Sequence, residues 1–111
     1  MITPKVIPST VLTASLATVL TCLANVRYKV MRFTLYNSDT SARTIEVQKI
    51  ASGQTAGYQY TVVSALSLAA GETRDIDVMI GQMLDTGDFI QVKADVTSKV
   101  TVFGSYNEYT K

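Results

Sequence analysis

Four aspartates crowd one third of the chain: Asp75, Asp77, Asp85 and Asp88. Acids at such spacing could hold calcium, which takes six to eight oxygens converging from flexible loops. Asp75 and Asp77 share a strand face in the reading below, while Asp85 and Asp88 flank a turn. The four are therefore expected to be solvated strand charges plus a turn capped by aspartate, with no metal site. Paired carboxylates can also cut glycosidic bonds, one as acid and one as base. Nothing in the spacing fixes their separation, and a short chain leaves little room for a cleft beside its core. Cys22 is the one cysteine, and the chain has no histidine. A thiol with no imidazole to activate it is expected to be a buried, inert side chain rather than a nucleophile. No catalytic residue, cofactor or metal is expected, and the chain is read as non-enzymatic.

Side chains suited to contact are better represented than side chains suited to catalysis. Tyr58 and Tyr60 form one tyrosine group, Tyr106 and Tyr109 another. Exposed tyrosines can stack on sugars, but they also add rigid area with a polar tip to protein interfaces. Arg27, Lys29, Arg32 and Arg43 are expected along one outer face of a long hairpin, with Glu46 across from them. The opening MITPKVIPS carries Pro4 and Pro8 and reads as an extended arm over residues 1–8, of the kind that adds a strand to a neighbour's sheet. Protein contact is accordingly expected at Ile2, Pro4, Lys5, Val6, Ile7, Tyr58, Tyr60, Tyr106 and Tyr109.

These residues need a framework. The chain has 111 residues, 47% of them hydrophobic and 17% charged, which suits one domain with one modest core. A formal net charge of +1 argues against binding nucleic acid, which needs a strongly basic face. No window holds the roughly 18 apolar residues a membrane span requires. The most apolar stretch, VLTASLATVLTCLANV at 11–26, is interrupted by Thr13, Ser15, Thr18 and Thr21, so neither a secretory signal nor a lipid anchor at Cys22 is expected. Leu12, Leu16, Val19, Leu20 and Leu23 do fall at helical spacing. Valine and threonine nevertheless fit strands better than a helix interior, and two strands are expected, near 9–14 and 17–23.

Beyond residue 26 the alternation is plainer. VRYKV places Val26, Tyr28 and Val30 on one face; the phase then slips to Met31, Phe33 and Leu35, the mark of a β-bulge. NSDTS at 37–41 reads as a hairpin turn, and RTIEVQKI as the return strand with Ile45 and Val47 inward and Thr44, Glu46 and Gln48 outward. A loop at 51–57 precedes a strand over 58–68, broken near Ser64. AAGET turns at Gly71, and RDIDVMI is expected to point Ile76, Val78 and Ile80 inward. Residues 81–88 are expected to hold a helical turn, with Met83 or Leu84 plugging the core. Ile90, Val92 and Ala94 share a face; after a turn at 97–99, Val100, Val102 and Tyr106 point inward. The sum is an all-β fold: an antiparallel β-sandwich, jelly-roll-like, of about eight strands in a single domain over 9–111.

Three segments in this order, TVLTCLANVRYKVMRFTLYNSDTSARTIEV, LSLAAGETRDIDVMI and LDTGDFIQVKADVTSKVTVFGSYNE, resemble a group of small β-sandwich proteins of tailed bacteriophages. The shared pattern is a long strand ending in Asn plus small polar residues, a return strand, Gly-Glu-Thr before an apolar strand, and Gly-Asp before a long closing hairpin. It covers roughly Thr18 to Glu108. The group usually has Pro-Ala-Gly before the long strand, where this chain has CLAN at 22–25. The resemblance implies a virion component made in the bacterial host cytoplasm and not secreted. The first expectation is a capsid decoration or cement protein on the outer head, bound to the major capsid protein as a homo-oligomer, a trimer favoured. A neck, collar, tail or fibre component is the alternative, and a carbohydrate-binding module a more distant one.

Overall fold

The computed structural model describes residues 2–111. Nine strands follow in order: β1 (Ile2–Val11), β2 (Ala17–Thr21), β3 (Val26–Asn37), β4 (Arg43–Ile50), β5 (Thr61–Leu68), β6 (Thr73–Asp75), β7 (Met83–Leu84), β8 (Phe89–Ala94) and β9 (Val100–Thr110). Single 3₁₀ turns lie at Tyr58–Tyr60 and Asp77–Met79. One sheet has the order β1-β9-β3-β6, with β7 also on β3; the other has the order β2-β8-β4-β5. Every pairing is antiparallel.

The order is that of a jelly roll. β6 and β7 both pair with β3, so they act as one strand interrupted by the 3₁₀ turn. The partners are then first with last (β1 with β9), second with second-last (β2 with β8), and so inward to β4 with β5. A long two-chain ribbon of this kind, wrapped so that β9 meets β3 and β8 meets β4, closes into two packed sheets. Both expectations, the sandwich and its jelly-roll character, hold.

The core between the sheets is set by alternation. Phe33 and Leu35 on β3, Ile45 and Val47 on β4, Ile90 and Val92 on β8, and Val100 and Val102 on β9 are all fully buried. The phase slip in β3 is a real bulge: the register against β9 shifts between Val30 and Arg32, leaving Met31 as the extra, exposed residue. The break expected near Ser64 is also a bulge. Ser64 and Ala65 together oppose Glu46, with Ala65 at φ +52°.

Several expectations are corrected. The segment read as an arm is the first part of an edge strand, paired with β9 from Ile2↔Tyr109 to Val11↔Thr101. Proline is tolerated there because an edge strand needs its donors on one side only. Met1 lies outside the described residues. The expected strand at 9–14 ends at Val11, whereas that at 17–23 is β2. NSDTS is no hairpin turn, because β3 and β4 lie in opposite sheets; it is a corner between them. Asn37 clamps that corner: its buried amide donates to the carbonyls of Ser41, Leu68 and Ala69 while its Oδ1 accepts from the Asp39 N–H. In RDIDVMI the 3₁₀ turn shifts the phase, so Ile76 and Met79 are buried while Val78 and Ile80 are exposed. The helical turn thus precedes its expected place, and Leu84 is the residue that fills the core. Gln48, expected outward, is buried, its amide bonded to Glu46 and its Oε1 accepting from Gly57 N–H.

Candidate interaction face

The site expected from the sequence divides into four places. In β1 the register with β9 is unbroken from Ile2 to Ile7, and Ile7 is fully buried. Alternation therefore turns Ile2, Pro4 and Val6 to the outer face. On β9, buried Tyr106 fixes the opposite parity, so Ser105, Asn107 and Tyr109 turn outward opposite Val6, Pro4 and Ile2. Four expected contact residues from the two ends of the chain, Ile2, Pro4, Val6 and Tyr109, thus share one surface.

Ile7 and Tyr106 do not belong to it. Ile7 packs in the core, and the Tyr106 ring lies 4.4 Å from that of Tyr28 and is 9% exposed. Burial, and then the neighbouring Tyr28, push the Tyr106 phenol up to about 12. Ile7 is corrected from a contact residue to a core residue; of the two readings of Tyr106, the inward one holds and the contact one is corrected, since each residue falls on the inward parity of its strand. Lys5 lies at the sheet edge with its amine 3.3 Å from Glu108, inside its own chain. Tyr58 and Tyr60 form the 3₁₀ turn leading into β5, at the edge of the other sheet. Tyr58 is 92% exposed.

The two outer faces differ in kind. Six large apolar residues are exposed on strands: Ile2, Val6 and Val11 on β1, Met31 and Tyr36 on β3, and Met83 on β7. All six belong to the β1-β9-β3 sheet. Among the described residues, no strand of the β2-β8-β4-β5 sheet exposes one. Val6 is the most open of the six, at 72%. Isolated exposed apolar residues are ordinary, but six confined to one of two sheets point to an interaction surface. Two of them correct the expectations: alternation groups Met31 with Phe33 and Leu35, but the bulge turns it outward, and Met83, expected as one of two core plugs, pairs with Lys29 on the outward parity and leaves the core to Leu84.

The charges bordering this face are largely neutralised. Arg27 lies 3.8 Å from Asp85, and Arg32 lies 3.7 Å from Asp75, which also accepts from the Thr34 hydroxyl. Arg43, expected beside them, is on the opposite sheet and bound to Asp39. The Lys111 ammonium and the Thr86 N–H hold the Asp85 carboxyl below the usual range. Asp88 caps its own loop, accepting from Ser52 and Asp85 N–H groups, and Asp77 starts the 3₁₀ turn instead of sharing a strand face with Asp75. The four aspartates are thus spread over separate ion pairs and turns, and no metal-holding cluster of acids, cysteine or histidine occurs among the described residues. Cys22 is 2% exposed, its thiol directed at the carbonyls of Val26 and Leu84, and burial raises its pKa.

Free sheet edges are poorly suited to pairing with another chain. β1 carries Pro4 and Pro8 and a register shift between Ile7 and Thr10. β6 and β7 have three and two residues, β2 has five, and β5 is bent by its bulge. Short, bulged or proline-bearing edges resist strand addition. The face, not an edge, is the surface left for contact.

No known family matches the chain, and no curated protein sequence does. Among solved structures, a chain from the Bacillus endospore appendages, described as a novel family of disulfide-linked pili, superposes with a TM-score of 0.60 at 12% identity. The match covers 98% of this chain and 88% of that one. At that identity the likeness is one of fold: the chain is a single-domain, all-β sandwich.

Proposed function

We propose that this chain is a non-enzymatic structural subunit of a bacteriophage virion, in the first place a decoration or cement protein that binds the outer head. The observation that carries the reading is the one-sided surface. One sheet exposes six large apolar residues on its strands and the other exposes none among the described residues. A small rigid sandwich with one sticky face is a unit built to be joined to other protein chains. Many copies, each burying a modest area, add their contact energies and resist rupture of the shell. The turn patterns shared with the phage β-sandwich group point the same way. A neck, collar, tail or fibre component is the alternative, present in fewer copies. Sugar binding has less behind it, since buried Tyr106 is removed from the tyrosines it would use.

A second reading, an appendage subunit, is favoured by the fold likeness to the endospore pilus chain. That chain's pili are described as disulfide-linked, whereas the one cysteine here, Cys22, is buried and bonded within the fold. Links between copies in this chain would have to be non-covalent.

Quantitative mass spectrometry of purified particles tests the proposal. Copy numbers comparable to the major shell protein support head decoration, and a small fixed number supports neck, tail or fibre. Absence from particles overturns the virion reading.

A further inference from the structure

We infer that the outer face of the β1-β9-β3 sheet is covered by the same face of a second copy of this chain, packed sheet on sheet about a two-fold axis. The half of the face formed by β1 and β9 presents Ile2, Pro4 and Val6 beside Ser105, Asn107 and Tyr109, with no charge among them. Such a surface suits an identical partner, since nothing in it repels its own copy. On the β3 half, Arg27 and Arg32 are already paired with Asp85 and Asp75. Lys29 is the one cation there without a carboxylate in reach among the described residues, and a long lysine can lift its ammonium to the rim.

The size of the face is sufficient. The three long strands, of 10, 11 and 12 residues, with the short β6 and β7 beyond them, present roughly 500–600 Å² per copy at about 4.8 Å between strands and about 3.3 Å per residue. A pair then buries on the order of 1,000–1,200 Å², the lower limit for a specific interface. A face that pairs with itself is isologous and closes at two copies, so the trimer expected from the phage resemblance does not form through it. The blunted edges bar the alternative of a continuous sheet across the pair.

The inference rests on the assembly role proposed above and is tested apart from it. Sedimentation equilibrium of the full chain, from micromolar to millimolar concentration, is expected to show the 12.1 kDa monomer passing to twice that mass. Val6→Lys, which sets a charge on the otherwise uncharged β1–β9 half of the contact, is expected to weaken pairing about tenfold or more. Thr44→Lys on the opposite face is expected to leave it unchanged. Val6 is exposed on an edge strand, so the variant should fold. Should circular dichroism show otherwise, Ile2→Lys near the chain end reads the same contact. A chain that stays monomeric throughout, or an oligomer that Val6→Lys and Ile2→Lys leave intact, overturns the inference. A monomer that is still abundant in particles overturns the pairing and leaves the assembly role standing. A stable pair that is missing from particles does the reverse.

Discussion

Ile2 on β1 and Tyr109 on β9 are direct cross-strand partners, so nearly the two ends of the chain meet on one outer surface. The jelly-roll order makes this unavoidable, because its first strand pairs with its last. The contact face is therefore assembled from residues that no local pattern connects, and it is only as stable as the β1–β9 ladder.

Gly104 tests that ladder. It lies between Ile7 and Phe33 in the sheet, and a Cβ there would fall onto the carbonyl of Arg32. Gly104→Ala is expected to cost about 2–4 kcal/mol, because the obstruction is backbone and cannot swing aside. Urea denaturation gives the change in stability directly.

The corner at Asn37 is expected to be similarly sensitive. Asn37→Ala leaves three carbonyls without their donor, at least one of them buried, and unties β3 from the end of β5. A loss of about 2–4 kcal/mol is expected by the same measurement. Asp39→Ala, which removes the half-buried pair with Arg43 and the acceptor of the Thr40 N–H, is expected to cost less, about 1–2 kcal/mol.

Alkaline pH is expected to loosen the fold through Tyr106. In the unfolded chain this phenol loses its proton near 10.0; in the fold, burial holds the proton to about 12. The folded chain binds that proton more tightly. Its stabilising effect is therefore complete below pH 10 and disappears as the pH rises from 10 towards 12. Thermal unfolding across this window should fall more steeply for the native chain than for Tyr106→Phe, and ultraviolet titration should show a late tyrosinate that Tyr106→Phe removes.

Cys22 should behave as a reporter of opening. Its raised pKa and its place under Leu84 predict negligible alkylation of the native chain and one thiol modified per chain in denaturant. Fast native labelling would contradict the packing of β2 and β7 described here.

Much of this architecture is legible in the residues, and the failures have causes. Ile90, Val92 and Ala94, or Val100 and Val102, announce their face because a strand buried on one side repeats every two residues. The slip at Met31 shows in the same way. Alternation does not say which sheet a strand joins, so the corner at 37–41 passes for a hairpin: Asn, Ser and Asp serve both kinds of turn. Pro4 and Pro8 argue against a central strand and are silent about an edge, which is where β1 lies. Asn25 takes φ +65°, a left-handed conformation that asparagine tolerates, so CLAN turns into β3 without a glycine. The contact set was half legible for the same reason: residue type marked Ile7 and Tyr106 as sticky, but only the parity of their strands places them inside.

Hydroxyl-radical footprinting of the chain, free at low concentration and again within its purified assembly, bears most directly on the claim that one face makes the contacts. The account predicts that Ile2, Val6, Met83 and Tyr109 lose reactivity on assembly while Gln91 and Lys93, on the opposite sheet, change less. Unchanged reactivity at Val6 and Tyr109 in the assembled state would contradict it.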